Sequence, residues 1–351
     1  MIKEVLSRVD PVHYGFRDVS YEWDEEIANY FGVPIRQIFF ADKPVKNNLK
    51  QSLKKQLKKI FLHVPALRQV FLDSQRPVLT QDINMPLSVC FVMFPAELSI
   101  CEGNNCLPIL LDIWDDFHFM EVIRRTKNLK LFYVTSRDAY NKIKELSPTS
   151  KVCYMPQSIS DKYYSENFTA YRNKIVDVVQ IGRRNPLLHE YMLRYISMHE
   201  NIEYVYTENG EGVSSLGRKT WPLRTRNDYM KLLAASKVSL TGCSGVDNAR
   251  ENTFGICFIT PRFYEAAISG CALISRYPDN QEFRELNASR YFPNVKSYEH
   301  FTECLEHALA QTPEELYAQN HEFIINSLTS KRAEQIQRDL ENLTCGILLP
   351  D

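Results

Sequence analysis

No stretch of about 18 consecutive apolar residues occurs in the 351-residue chain, so no segment is expected to cross a bilayer as a helix. No early segment combines a charged start, an apolar stretch and a small-residue cleavage site, and the expected location is cytoplasmic. Charge of one sign is not in excess either. The 42 Lys and Arg against 43 Asp and Glu leave −1, which argues against wholesale attraction to nucleic acid and leaves room only for local basic patches. There is no internal repeat and no low-complexity tract. No G-x-G-x-x-G follows a strand, which disfavours a nicotinamide-dependent oxidoreductase. Cysteine is present in an odd number, nine, and scattered, so a full disulfide framework is not expected. The closest pair, Cys101 and Cys106, has neither a second such pair nor a histidine partner nearby in sequence, and the cysteines read as reduced and mostly structural.

What is present is an ordinary globular composition, 44% hydrophobic and 24% charged, in a chain long enough for two domains. Short β-rich runs alternate with helical patterns, which predicts α/β architecture with parallel sheets covered on both faces. Strands are expected at 35–40, 88–93, 109–113, 129–134 and 152–155, then at 175–181, 203–207, 238–241 and 271–275. Helices are expected near 187–198, 227–236, 262–269, 298–310, 313–327 and 330–343. The polar segment 161–174 is the expected linker. Two doubly wound sheets in series turn their strand C-terminal ends toward a shared cleft, where ligands of such sheets bind.

Three segments carry candidate chemistry. In Thr260-Pro-Arg-Phe-Tyr-Glu-Ala-Ala-Ile-Ser-Gly270, Thr260 suits an N-cap, Pro261 the first helical turn and Gly270 the helix stop. That helix start would offer free N–H groups and partial positive charge to a diphosphate, with Arg262 as a bidentate donor and Glu265 placed for ribose hydroxyls. In Val176-Asp-Val-Val-Gln-Ile-Gly-Arg-Arg184 a strand runs into Gly182, where backbone could approach a ligand closely, followed by Arg183 and Arg184. In Ile109-Leu-Leu-Asp-Ile-Trp-Asp-Asp-Phe-His118, a buried strand leads to Asp115, Asp116 and His118, any one of which could deprotonate an acceptor hydroxyl. The structural alternatives are a capped surface helix, a turn with solvated arginines, and an N-cap aspartate.

Taken in order, these segments resemble the bacterial glycosyltransferases of the GT-B fold, in the broad group 1 class and closest to its CgeB-like branch. The matching residues are Trp114-Asp-Asp116, Phe132-Tyr-Val-Thr-Ser136, Val152-Cys-Tyr-Met-Pro156, Asp177-Val-Val-Gln-Ile-Gly-Arg183 and Ile259-Thr-Pro-Arg-Phe-Tyr-Glu-Ala266 with Gly270. They span roughly residues 85–290. The resemblance implies two Rossmann-like domains, an acceptor-side domain over 1–165 and a nucleotide-sugar domain over 166–330. A helix and tail, 331–351, would be able to return to the first domain. It implies a nucleotide-diphospho-sugar donor held by Gly182, Arg183, Arg184, Arg250, Arg262, Tyr264 and Glu265, and an acceptor that is a glycan or lipid-linked. No Asp-x-Asp motif stands at the donor site, so no metal and no further cofactor is expected. Eight residues before Glu265, where many retaining relatives carry glutamate, stands Cys257, which leaves the stereochemical outcome open.

Residues 46–61 form a basic amphipathic pattern, with Lys50, Lys54, Lys55, Lys58 and Lys59 around an apolar face. Such a helix could rest on an anionic membrane surface, at the inner face of the membrane, or pack conventionally with a solvated lysine side. Three functions are compatible with the whole pattern: sugar transfer, epimerisation of a sugar nucleotide, and non-catalytic binding of one.

Overall fold

The computed structural model describes residues 1–8, 18–38, 77–166, 172–217, 221–243, 245–247, 253 and 255–347. The lysine-rich segment with Lys50, Lys54, Lys55, Lys58 and Lys59 lies outside the described residues, as does Arg250. Among the described residues no helix is long and apolar enough to cross a membrane.

Two six-stranded sheets make the fold. The first is fully parallel in the order β2-β1-β3-β4-β5-β6, from β1 (Ile2–Ser7), β2 (Ile35–Gln37), β3 (Leu87–Val92), β4 (Cys106–Leu110), β5 (Phe132–Val134) and β6 (Val152–Tyr154). The second has the order β10-β9-β8-β7-β11-β12, from β7 (Val176–Gln180), β8 (Tyr204–Glu208), β9 (Glu211–Ser214), β10 (Trp221–Pro222), β11 (Ser236–Gly242) and β12 (Ala272–Arg276). Its β8-β7-β11-β12 core is parallel, and β9 and β10 extend one edge antiparallel. Strands β3 and β4 are buried along their whole length, as expected where helices cover both faces. Each sheet therefore carries a separate hydrophobic cluster on either side.

Strand order reverses direction between β7 and β11 in the second sheet and between β1 and β3 in the first. Ligands in open α/β sheets bind outside the strand C-termini at such switch points. β1 was absent from the expected strands, although it lies inside the first sheet. β4 ends at Leu110, paired with Val92, three residues before the expected end. Both differences matter at the cleft.

The chain crosses from the first sheet to the second at Ile159 and returns beside it. Ile159 N–H donates to Ser327 O at 2.9 Å, and Thr329 N–H donates to Ile159 O at 3.0 Å. The last helix, Thr329–Thr344, then packs on the first domain. Its Ala333, Ile336, Leu340 and Leu343 share one face and join the cluster of Trp23, Ile27 and Val89. Tyr133 Oη donates to Asp339 at 2.8 Å, and Gln335 Nε2 to Tyr154 O at 2.9 Å. The return of this helix ties both crossings to the first core.

Ile336 is fully buried in that cluster. Ile336→Ala should lower unfolding stability by about 2–5 kcal/mol, the range for truncating a buried aliphatic side chain. Urea denaturation of the full chain measures it, and a loss below about 1 kcal/mol would show that the helix is only loosely docked.

Candidate functional site

A cavity of about 570 Å³ opens between the two domains at the C-terminal ends of both sheets. That volume lies within the range of small-molecule sites. Its second-domain wall comes from the turn after β7 and from the helix Pro261–Ile268. Gly182 leaves β7 with φ +78°, a left-handed conformation that costs glycine little. A Cβ there would stand 3.5 Å from Arg262 Nη1, so the two segments singled out in the sequence meet in space. Gly182 N–H donates to Thr207 Oγ1 at 3.0 Å. Arg183, next along, lines the cavity.

The helix Pro261–Ile268 begins at the cavity. Thr260 is its N-cap residue, but the threonine side chain makes no capping hydrogen bond. Thr260 is only 6% exposed, and its Oγ1 is buried without a partner. Arg262 donates from Nη2 to Gly242 O at 3.3 Å, while its Nε is also buried and unpartnered. Ser20 Oγ, on the opposing wall, is a third such atom. Buried polar atoms are nearly always hydrogen-bonded in native proteins. Three unpartnered buried polar atoms thus line one cavity, two at the helix start and one on the opposing wall.

Glu265 also lines the cavity, one turn on, but it is already engaged. Its two oxygens accept from Arg226 Nη1 at 2.5 Å and from Tyr229 Oη at 2.7 Å. Arg226 in turn reaches Glu22 of the first domain at 3.1 Å, and Tyr163 Oη donates to the same carboxylate. The expected ribose acceptor is thus one end of an interdomain ion-pair chain.

The first-domain wall differs from expectation. Asp115 is the N-cap of the helix Asp116–Thr126 and accepts from His118 N–H at 2.7 Å. His118 Nδ1 lies 3.4 Å from the same carboxylate, and Asp116 is exposed in the first turn. None of the three lines the cavity. The residue that does is Asp112. Because β4 ends at Leu110, the chain is still hydrogen-bonded alongside β3 at Leu111 and Asp112, whose N–H groups donate to Val92 O and Met93 O at 2.9 Å. This aims Asp112 at the cleft and carries Asp115 past it. The signal was in the sequence, since an aspartate inside the apolar run Ile109-Leu-Leu-Asp-Ile is an anomaly for a buried strand. Burial pushes the Asp112 carboxyl up to about 7, with the positive charge of Arg183 pulling it down and Glu97 pushing it further up. Trp114 stacks on Phe258 across the cleft with ring centres 5.2 Å apart, and Trp23 and Gln157 complete this wall.

Two donor-side expectations are corrected. Tyr264 is buried against Phe323, rings 5.2 Å apart and nearly parallel, on the core face of its helix. Arg262 and Glu265, three residues apart, share the cavity face and Tyr264 does not. Arg184 turns away from the cavity toward β8, with Nη1 at 3.3 Å from His189 Nε2 and its guanidinium over the Tyr206 ring. Beyond the left-handed turn at Gly182 only Arg183 lines the cavity, while Arg184 is held by His189 and Tyr206. Cys257 is buried, and its N–H donates to Asp138 of the first domain at 3.0 Å.

No family model and no curated protein sequence matches the chain. Solved structures do. A protein from Listeria monocytogenes assigned as a UDP-N-acetylglucosamine 2-epimerase superposes over 100% of this chain and 99% of its own, at a TM-score of 0.51 and 11% identity. The GtfA/B complex matches over 79% of this chain at a TM-score of 0.46 and 12% identity. An S. aureus TarM variant solved with UDP matches over 73% of this chain at 0.49 and 10%. This chain spans 60% of the GtfA/B chain and 55% of the TarM chain. The fold is GT-B.

Asp112 gives a stability signature. An unfolded aspartate titrates near about 3.9, and the folded carboxyl near about 7. Between about pH 4 and 7 the folded chain keeps a proton that the unfolded chain has released, so this group's contribution falls as pH rises and is level above that window. Asp112→Asn removes the slope. The stability of the variant relative to the parent should therefore rise from about pH 4 to 7, by urea denaturation at several pH values. A pH-independent difference would mean that Asp112 titrates normally.

Proposed function

We propose that this chain transfers a sugar from a nucleotide-diphospho-sugar to a glycan or lipid-linked acceptor. It would belong to the CgeB-like branch of GT-B glycosyltransferases and serve bacterial surface polysaccharide synthesis at the inner face of the membrane. One observation carries the reading: Gly182, Arg183, Arg262 and the unpartnered Thr260 Oγ1 converge on one end of the interdomain cavity, and Asp112 faces it from the other domain. A diphosphate seated at the first group would receive charge-assisted hydrogen bonds from Arg183 and Arg262 and the dipole of the helix Pro261–Ile268. The same groups stabilise the negative charge that grows on a departing nucleoside diphosphate, which is where such donors lower a barrier most. Asp112, with a pKa held near about 7, is poised to take a proton from an acceptor hydroxyl at physiological pH. Glu265 keeps lone pairs free of Arg226 and Tyr229, and ribose hydroxyls would donate to them. The basic pattern over 46–61 supports placement on an anionic surface.

A second reaction uses the same arrangement. In epimerisation of a sugar nucleotide Asp112 would exchange a proton with the donor sugar itself, and no acceptor would enter. The superposition on the L. monocytogenes protein over nearly the full length of both chains keeps this alternative in play. The products separate the two: a new glycoside plus free nucleoside diphosphate in one case, an epimeric nucleotide sugar in the other.

Calorimetric titration with UDP tests the donor site. Arg262→Ala and Thr260→Val should each weaken binding by about 1–3 kcal/mol, the range for losing a hydrogen bond to a charged group. Unchanged affinity in both, or no binding of any nucleoside diphosphate to the parent chain, would remove the assignment. Asp112→Asn should leave UDP affinity near normal, lower turnover, and abolish the rise of kcat/KM with pH around about 7. An Asp112→Asn chain of full activity would leave the cleft without its base.

A further inference from the structure

Beneath the first-domain wall, away from the cleft, the fold gathers three cysteines that the sequence separates. Cys90 lies within β3, Cys106 opens β4, and Cys101 closes the short helix Pro95–Cys101 that links those strands. Cys101 and Cys106, the closest two in sequence and read there as structural, thus acquire a third neighbour from the adjacent strand. Their exposures are 0%, 2% and 2%. All three Sγ atoms lie within 4.8 Å of one another, and Cys90 and Cys101 are 3.1 Å apart. A disulfide would need about 2.05 Å. Thiolates around a shared ion at about 2.3 Å stand about 3.8–4.0 Å from each other in tetrahedral or trigonal geometry. The observed separations, 3.1 Å for Cys90–Cys101 and no pair beyond 4.8 Å, bracket that size.

We propose that Cys90, Cys101 and Cys106 form a buried three-thiolate site for a soft metal ion, Zn(II) or Cu(I). Thiolates select these ions over harder ones. Each thiol gives its proton to solvent as its sulfur–metal bond forms, so the ion exchanges three protons for its own charge. Three thiolates with a dication leave one negative charge in the core. Arg125, 1% exposed, acts electrostatically on Cys101 and donates to Glu102 at 2.5 Å. Entry is available from a second cavity of about 600 Å³, lined by Cys101, Glu102, Gly103 and Gln81 among others. A water from that side can complete four-coordinate Zn(II), whereas Cu(I) is satisfied by three sulfurs.

The test uses the full, reduced chain, stripped of metal and reloaded. Co(II), standing in for Zn(II), should give thiolate-to-metal charge-transfer absorption at one ion per chain. A chromophoric Cu(I) chelator should lose one ion per chain to the protein if copper is the occupant. Loading with either ion should protect Cys90, Cys101 and Cys106 from alkylation, mapped by peptide mass, while exposed Cys345 still reacts. Cys106→Ser should weaken uptake by more than about 10–100-fold, the loss seen for disturbing an outer-shell partner alone. Cys345→Ser should change nothing. Uptake of neither ion by the parent chain overturns the site, and so does formation of a Cys90–Cys101 disulfide, with loss of two hydrogens, in place of metal binding. Metal uptake by the parent chain decides the matter even if Cys106→Ser fails to fold.

Discussion

The cleft depends on one buried cation. Arg226, at the start of the helix Arg226–Ala234, donates to Glu265 of the second domain and to Glu22 of the first. All three side chains are nearly withdrawn from water, and Lys162 adds a second positive charge to Glu22 at 3.1 Å. A guanidinium cannot shed its proton at any ordinary pH, so this pair of contacts cannot be switched off by titration of the arginine. Removing one partner of such a buried array typically costs about 3–5 kcal/mol, because the other charge is left stranded. The array sets the distance between the walls, and it fixes the orientation of the carboxylate that closes the donor end of the cavity.

Around that fixed spacing the two walls have opposite electrostatic characters. The second-domain wall is donor-rich: Arg183, Arg224, Arg226 and Arg262, a helix start and an unpartnered threonine hydroxyl. The first-domain wall has an aspartate that burial holds near neutrality. Were Asp112 ordinarily acidic, it would carry a permanent negative charge facing the place of a diphosphate. Burial removes much of that conflict and leaves a group able to accept a proton, while Arg183 keeps the carboxyl from rising further.

The two-sheet architecture was legible because β3, β4 and β12 are short, mostly apolar runs between helical patterns, and because Thr260, Pro261 and Gly270 punctuate a helix. β1 was not, since its Ile-Lys-Glu-Val-Leu-Ser reading mixes two charges into six residues. Those charges are tolerated because Glu4 accepts from Arg36 and Ser88 along the sheet, a pairing invisible to local pattern. At the site, Gly182, Arg183, Arg262 and Glu265 could be read from strand–glycine–arginine order and helix phase. Asp112 was displaced by a strand end misjudged by three residues, which in an extended chain moves a side chain by about 10 Å. The partners of Glu265 were beyond reach, because Arg226 and Tyr229 lie 39 and 36 residues away, and Glu22, the other partner of Arg226, lies in the other domain.

The position of Asp112 is secured from behind as well as from the front. Glu97, on the link between β3 and β4, accepts from Met93 N–H at 3.0 Å and from Arg8 at 2.8 Å. Met93 lines the cavity and its carbonyl receives the N–H of Asp112. One buried carboxylate thus pins the end of β3, the end of β3 pins Asp112, and β1 supplies the arginine's anchor at the switch point. The link that carries Glu97 is also the one that ends at Cys101, between the strands bearing Cys90 and Cys106. Whatever stiffens that link stiffens the wall on which the candidate base stands. A GT-B cleft must keep a base and a phosphate site in register across two separately folded cores. Here the first-domain wall is braced by Glu97 from behind the surface, and the second-domain wall by the Arg226–Glu265 pair within the cavity lining itself.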